Sequence, residues 1–162
     1  MARSTDAPGT PATLALTAAG IAFTPHVYDH DPRSTNFGME AAEKLGLDPE
    51  RVFKTLVAEV DGALVVAVVP VVGMLDLKAL AAAVGGSRAQ MADPKVAERK
   101  SGYVVGGISP IGQKTPLTMV VDETAILFDT VFVSGGRRGF DIELAPDALA
   151  GVTAAIFAPI AR

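Results

Sequence analysis

The chain of 162 residues is 49% apolar, 20% charged and 6% aromatic, the size and composition of one globular domain. Its 14 Lys and Arg against 18 Asp and Glu give a formal charge of −4, which excludes capture of a polyanion by overall charge and confines any nucleic-acid contact to a local patch. Cysteine is absent, which removes disulfide scaffolds, thiolate zinc sites and cysteine nucleophiles and suits the reducing cytoplasm.

Residues 1–9, with Arg3 and Asp6 among Ser, Thr, Pro and Gly, read as a loose tail, and residues 10–162 as a single domain. No apolar run ends in a small-residue cleavage site, so no secretory signal is expected. Thr10 is an N-cap candidate with Pro11 at the first helical position, apolar Leu14, Leu16 and Ile21 follow, and Gly20 is the stop signal. Thr24 to His30 is β-prone and ends at Asp31-Pro32, because the residue before proline is pushed out of the helical region. A second helix is expected from about Gly38 to Leu45, closed by Gly46 in the left-handed conformation with Leu47 packing back on the last turn.

Val52 to Val60 and Ala63 to Val69 are β-rich runs joined by Asp61-Gly62, a pair suited to a hairpin turn in which both central positions need positive φ. The most apolar stretch, Ala63 to Leu75, is broken by Pro70 and Gly73 and falls short of the roughly 20 residues that span a bilayer, so no membrane association is expected. Asp76 caps a helix that places Leu77, Leu80, Ala81 and Val84 on one face, and Asp93-Pro94 opens another that ends at Gly102. Tyr103 to Val105, Leu117 to Val121, Val131 to Ser134, Phe140 to Leu144 and Ala154 to Ala158 read as short strands, with a brief helix near Pro146 to Gly151. Strands and helices are interspersed without strict βαβ alternation, which predicts an α/β fold with a mixed sheet and helices packed outside it.

Val52, Lys54, Leu56, Ala58 and Val60 share one strand face, and Lys54 is its odd member. Such a lysine either snorkels at the strand end or is aimed into a cleft as an electrostatic clamp on a phosphate or carboxylate. The segment Val104 to Lys114, VVGGISPIGQK, has the glycine spacing of a phosphate-binding P-loop, but Gln113 stands where the lysine belongs and Pro116 would obstruct the following helix. It is either an ordinary glycine-rich loop or a rigid receptor whose amides hold an oxyanion or carboxylate. Ser134 to Gly139, SGGRRG, is a tight turn that carries Arg137 and Arg138, plausible phosphate contacts, into a strand where Phe140, Ile142 and Leu144 face inward. Asp141 and Glu143 face the other way, either solvated or, for one beside the turn, binding a ribose hydroxyl or an α-amino group. His26 and His30 lie near Asp29 and Asp31 without a third well-spaced ligand, so no metal or other cofactor is expected, and no G-x-S-x-G elbow points to a serine hydrolase.

Taken together, TPA near the start, YDHDP at Tyr28 to Pro32, TNFG at Thr35 to Gly38, VFKTL at Val52 to Leu56, MADP at Met91 to Pro94, GYVVGGISPIGQK at Gly102 to Lys114 and SGGRRGFDIEL at Ser134 to Leu144 resemble the YbaK/EbsC family in order and spacing. Within that family the chain is most similar to the bacterial Cys-tRNA(Pro) deacylase type. The resemblance implies a mixed, barrel-like sheet flanked by helices, related to the editing domain inserted in bacterial prolyl-tRNA synthetases. It also implies a trans-editing hydrolase that removes cysteine from the acceptor end of tRNA(Pro), working with prolyl-tRNA synthetase. Residue by residue, Lys54 matches the family's essential lysine, Tyr28 and Asp141 match pocket residues, and Gly106-Gly107-Ile108-Ser109-Pro110 matches its G-x-x-x-P loop. The amides near Gly106 and Gly107 would take the ester carbonyl oxygen, and Lys54 would hold the terminal phosphate or adenosine. Similarity further suggests that the cysteinyl thiol attacks its own carbonyl, so that no protein nucleophile is needed. After Lys114, where the family often continues with basic residues, this chain has Thr115-Pro116, which removes possible phosphate contacts. Two other readings stay open: a deacylase for another mischarged tRNA such as Ala-tRNA(Pro), and a non-catalytic module that binds the aminoacyl-adenosine end or a synthetase.

Overall fold

The computed structural model describes residues 7–162. Helix α1 (Pro11–Ala18) starts at a reciprocal cap, in which the Thr10 hydroxyl accepts the Thr13 amide and Thr13 accepts the Thr10 amide. It buries Ala12 and Leu16, while Leu14 points to solvent. The loose tail expected over 1–9 falls partly outside the described residues. The part that is described is tied down: the Thr13 hydroxyl donates to the Pro8 carbonyl at 2.9 Å, and Ala7 packs on the core.

Strand β1 (Thr24–Val27) is shorter than expected and leads into a loop ending at α2 (Phe37–Leu45), which Gly46 closes at φ 66°. A 3-10 turn at Pro49–Arg51 precedes the hairpin of β2 (Phe53–Val60) and β3 (Ala63–Pro70), whose turn places Asp61 and Gly62 at positive φ as their identities required. Helix α3 (Leu77–Ala83) is capped by Asp76, and α4 (Pro94–Ser101) by Asp93. Between them lies a three-residue strand not foreseen from the sequence, β4 (Ala89–Met91). Then come β5 (Thr118–Asp122), a 3-10 turn over Glu123–Leu127, β6 (Val131–Arg137), β7 (Phe140–Leu144), α5 (Pro146–Thr153) and β8 (Ile156–Ala158).

Tyr103 to Val105 is not a strand. Its polar groups are used locally: the Tyr103 hydroxyl donates to the Ile111 carbonyl at 2.6 Å and the Val105 amide to the Glu98 carboxylate at 2.8 Å. The segment from there to β5 has no regular structure, so the loop is not followed by the helix that a P-loop needs.

The strands form two sheets, ordered β1-β7-β6 and β4-β2-β3-β5-β8. The larger is mixed, with β3–β5 and β5–β8 parallel and the other pairs antiparallel. The barrel does not close; the sheets meet at a single bridge pair, Val52 and Phe132. One core cluster, including Phe53, Val66, Val68, Val121, Phe140 and Ile142, fills the space between the sheets, and a second, including Ala58, Val65, Ala67, Leu80 and Ile160, packs α3 and the chain end on the opposite face. Among the described residues no helix is long and apolar enough to cross a membrane.

Candidate active site

Strand β2 explains where the cleft lies. Its outer edge pairs with β4 only at Ala58–Val60, and Val52, just before the strand, forms an isolated bridge to Phe132 of β6. The Ala92 amide closes on the Val57 carbonyl at 3.1 Å, so in the antiparallel alternation Phe53 and Thr55 direct their backbone groups outward along the uncovered edge. A cavity of about 400 Å³ opens along this gap, within the range of small-molecule sites. Its walls are the start of α2, the MADP stretch with α4, loop residues Val105, Gly106 and Ile108, and Tyr28, Ser134 and Asp141 from the smaller sheet's side.

Of the residues singled out from the sequence, Tyr28, Lys54, Gly106, Ile108 and Asp141 line this one cavity. Lys54 thus belongs to the cavity wall, the location that a clamp on a bound anion needs. Asp141, paired in register with His26 on β1 and Ser134 on β6, is 6% exposed rather than solvated, and burial pushes its carboxyl up to about 7. Burial, with the charges of Asp141 and Glu40 nearby, pushes the Tyr28 hydroxyl up to about 12, so it stays a neutral donor.

The remaining members of the G-x-x-x-P loop are support rather than lining. The Gly107 amide is already donated to the Val104 carbonyl at 2.8 Å, which corrects its expected part in an oxyanion receptor. A Cβ at Gly107 would come within 2.7 Å of the Arg137 Cα, so the residue is glycine because the loop is pressed against the β6–β7 turn. Ser109 is fully buried and its hydroxyl accepts the Ile111 amide, while Pro110 is buried behind it, so neither reaches the cavity. Gly106 has φ 89°, and a Cβ there would collide with the Phe37 ring at 2.7 Å. Arg137 and Arg138 lie outside the cavity on the β6–β7 turn. Arg138 donates two N–H groups to the Val105 carbonyl at 2.9 and 2.7 Å and stacks over the Phe37 ring, 4.8 Å from its centroid.

Sequence reasoning gave no role to Phe37, Thr55, Met91, Pro94, Ala97 or Ser134, which also line the cavity. The TNFG and MADP blocks were the available signal, since both map onto its walls. It also missed Glu40, which is 7% exposed and accepts from His30 Nδ1 and the Asp31 amide, both at 2.7 Å. His26 instead meets Glu143 at 2.9 Å, so the two histidines serve separate carboxylates, and neither lines the cavity. Among the described residues no cluster of three or more His, Asp or Glu is placed to hold a metal.

Comparison with known proteins places the chain in a family. A protein of Enterococcus faecalis named "Putative Cys-tRNA(Pro)/Cys-tRNA(Cys) deacylase EbsC" is 43% identical over 120 residues, 74% of this chain and 73% of its own. The crystal structure of "a putative trans-editing enzyme for prolyl tRNA synthetase" superposes with a TM-score of 0.82 at 25% identity, covering 100% of this chain and 99% of the other. A crystal structure of a hypothetical protein, 23% identical with a TM-score of 0.83 over 94% of this chain and all of its own, shares the fold. The profile of the aminoacyl-tRNA editing domain matches residues 36–152, a span that contains Lys54, the Gly106 loop and Asp141. The chain belongs to the aminoacyl-tRNA editing domain family.

Proposed function

We propose that the protein is a trans-editing deacylase that hydrolyses Cys-tRNA(Pro), with residues 10–162 as its single catalytic domain. The observation that carries this reading is one cavity that gathers Lys54, Tyr28, Gly106 and Asp141 and has no histidine in its lining to activate a hydroxyl nucleophile. A cavity lined by positioning groups and lacking a histidine suits a substrate that brings its own nucleophile. The cysteinyl thiol loses its proton and its sulfur bonds to the ester carbonyl carbon. The carbon–oxygen bond to the ribose breaks, the ribose oxygen takes a proton, and the thiolactone released is hydrolysed by water.

In this reading the Asp141 carboxylate receives the α-ammonium, the Gly106 amide meets the developing oxyanion, and Lys54 holds the phosphate or adenosine end. Tyr28, Ile108 and the apolar wall of Phe37, Met91 and Ala97 enclose the aminoacyl group. A pocket separates side chains that differ by a methylene by only about 1–3 kcal/mol, so the thiol requirement spares Pro-tRNA(Pro) even when proline enters. Prolyl-tRNA synthetase is the proposed partner. That choice fits the structural neighbour named for trans-editing with this synthetase, and a net charge of −4 that gives little general affinity for tRNA. The work belongs to the cytoplasm, where tRNA is charged.

The test is release of labelled amino acid from Cys-, Ala- and Pro-tRNA(Pro) by wild type and Lys54→Ala. Loss of cysteine alone, falling at least about a hundredfold with the substitution, is expected. Comparable release of alanine would transfer the protein to that specificity, and no hydrolysis with prolyl-tRNA synthetase present would make it a binding module.

A further inference from the structure

The chain is acidic overall, yet the elements on one side of the cavity carry several exposed cations. Helix α4 turns Pro94 and Ala97 into the cavity and exposes Lys95 and Arg99, four residues apart, on its outward side. From that helix a continuous set of contacts leads to the β6–β7 turn. The Glu98 carboxylate accepts the Val105 amide, the Val105 carbonyl accepts Arg138, and Gly107 lies against the Arg137 backbone. At the other end of α4 the Lys114 and Thr115 amides donate to the Ser101 and Lys100 carbonyls, which seats exposed Lys114 beside Gly102. Lys95, Arg99, Lys114, Arg137 and Arg138 are all exposed, and among the described residues none of them forms an ion pair. Of the acids within α4 and at its cap, Glu98 is engaged with the Val105 amide and Asp93 with the Lys95 amide.

We infer that this ridge is a docking surface for the phosphate backbone of an RNA stem whose single-stranded end enters the cavity. The inference rests on the deacylase reading above. A cavity of about 400 Å³ admits an aminoacyl-adenosine and little more, so the next nucleotides must lie on a rim. Helix α4 and the 104–107 loop, which wall one side of the cavity, and the turn packed against them carry exposed cations that form no ion pair among the described residues, an arrangement suited to phosphate contacts. These contacts are sequence-independent and supply affinity and register, leaving selection of the amino acid to the cavity. They also give an acidic protein a local attraction for RNA, although the sequence lacks further basic residues after Lys114.

The experiment measures binding of uncharged tRNA(Pro) by anisotropy and, separately, hydrolysis of 3′-O-cysteinyl-adenosine. It compares wild type with Lys95→Glu/Arg99→Glu and with Lys78→Glu/Arg88→Glu, an equal charge change at exposed positions outside the cavity. The ridge variant is expected to bind tRNA about tenfold more weakly at low salt, with a salt dependence shallower by about two counterions, while cleaving the short ester at the wild-type rate. The control variant should keep most of the affinity. Equal losses in both variants would reduce the ridge to overall charge, and unchanged binding in the ridge variant would overturn it. Weaker binding only when prolyl-tRNA synthetase is present would make the ridge a protein contact and overturn it as an RNA surface. Failure of the wild type to cleave the short ester strikes the deacylase reading, and the binding comparison still decides the ridge.

Discussion

Asp141 occupies a position that opposes the ionisation of its own carboxyl. In the unfolded chain its carboxyl ionises near 3.9, as aspartate ordinarily does, whereas burial pushes it up to about 7 in the fold. Between those values the folded state holds a proton that the unfolded state has released, so stability falls as pH rises from about 4 to 7 and the full penalty persists above. Asp141→Asn removes the charge and should be more stable than wild type at pH 8 by at most roughly 4 kcal/mol, with no gain at pH 3.5, read from urea unfolding at both pH values. The same variant should lose deacylation, because a neutral amide cannot attract an α-ammonium; a loss of stability at pH 8 would show instead that the carboxylate is paired inside the fold. Arg138 makes a different argument. Its fork on the Val105 carbonyl and its stacking on Phe37 hold the 104–107 loop over the cavity, and lysine preserves the charge but neither contact. Arg138→Lys should therefore slow cleavage of the short cysteinyl ester about tenfold while leaving tRNA binding and its salt dependence unchanged.

Elements fix where these residues stand, and α2 is the one that shapes the entrance. Its Glu40 is buried, which opposes ionisation, but the hydrogen bonds from His30 and the Asp31 amide outweigh burial and hold the carboxyl below its ordinary range. That brace fastens the 28–36 loop to the helix, and each of the two segments contributes to the cavity wall, Tyr28 from one and Phe37 from the other. A depressed carboxyl stabilises the fold above its unfolded value near 4.3, and the contribution disappears as pH falls through the folded value. Glu40→Gln should cost about 1–3 kcal/mol at pH 7 and raise KM for the aminoacyl-tRNA more than it lowers kcat, measured by urea unfolding and steady-state kinetics. Much at this scale was legible in the sequence wherever a local rule decides: Asp61-Gly62 fixed the hairpin, and Thr10, Asp76 and Asp93 marked helix starts. Strand β4 was not legible, because three residues show no periodicity and it exists only by pairing with Ala58–Val60. Tyr103 to Val105 misled for the opposite reason, since β-prone residues were drawn off by Ile111 and Glu98. In the site, Lys54 was legible as a cation among apolar neighbours, whereas Phe37, Met91 and Ala97 are ordinary apolar residues until the fold turns them toward a cavity.

For the whole molecule, the larger sheet does two jobs at opposite edges. The uncovered outer edge of β2 forms the cavity floor, while across β3 the pair β5 and β8 anchors the chain end. The anchor is Asp122, 2% exposed, whose carboxylate accepts the Ile160 amide at 3.0 Å, the Ala161 amide at 2.9 Å and the Thr124 hydroxyl at 2.5 Å. Ile160 itself is fully buried in the second core cluster, so the carboxylate joins the last residues of the chain to a central strand. Asp122→Ala leaves the buried Ile160 amide without its acceptor and should destabilise the protein by about 3 kcal/mol, whereas Asp122→Asn retains one acceptor oxygen and should cost less. Because β3 lies between this anchor and the cavity edge of β2, the folded fraction of Asp122→Ala should retain wild-type kcat/KM for cysteinyl ester cleavage at a temperature well below its lowered Tm. If kcat/KM falls together with stability in that fraction, the chain end helps to hold the β2 edge in place, and the two edges of the sheet are mechanically one unit. If only stability falls, the cavity is set by β2, α2 and the 104–107 loop, and the second core cluster serves as its foundation.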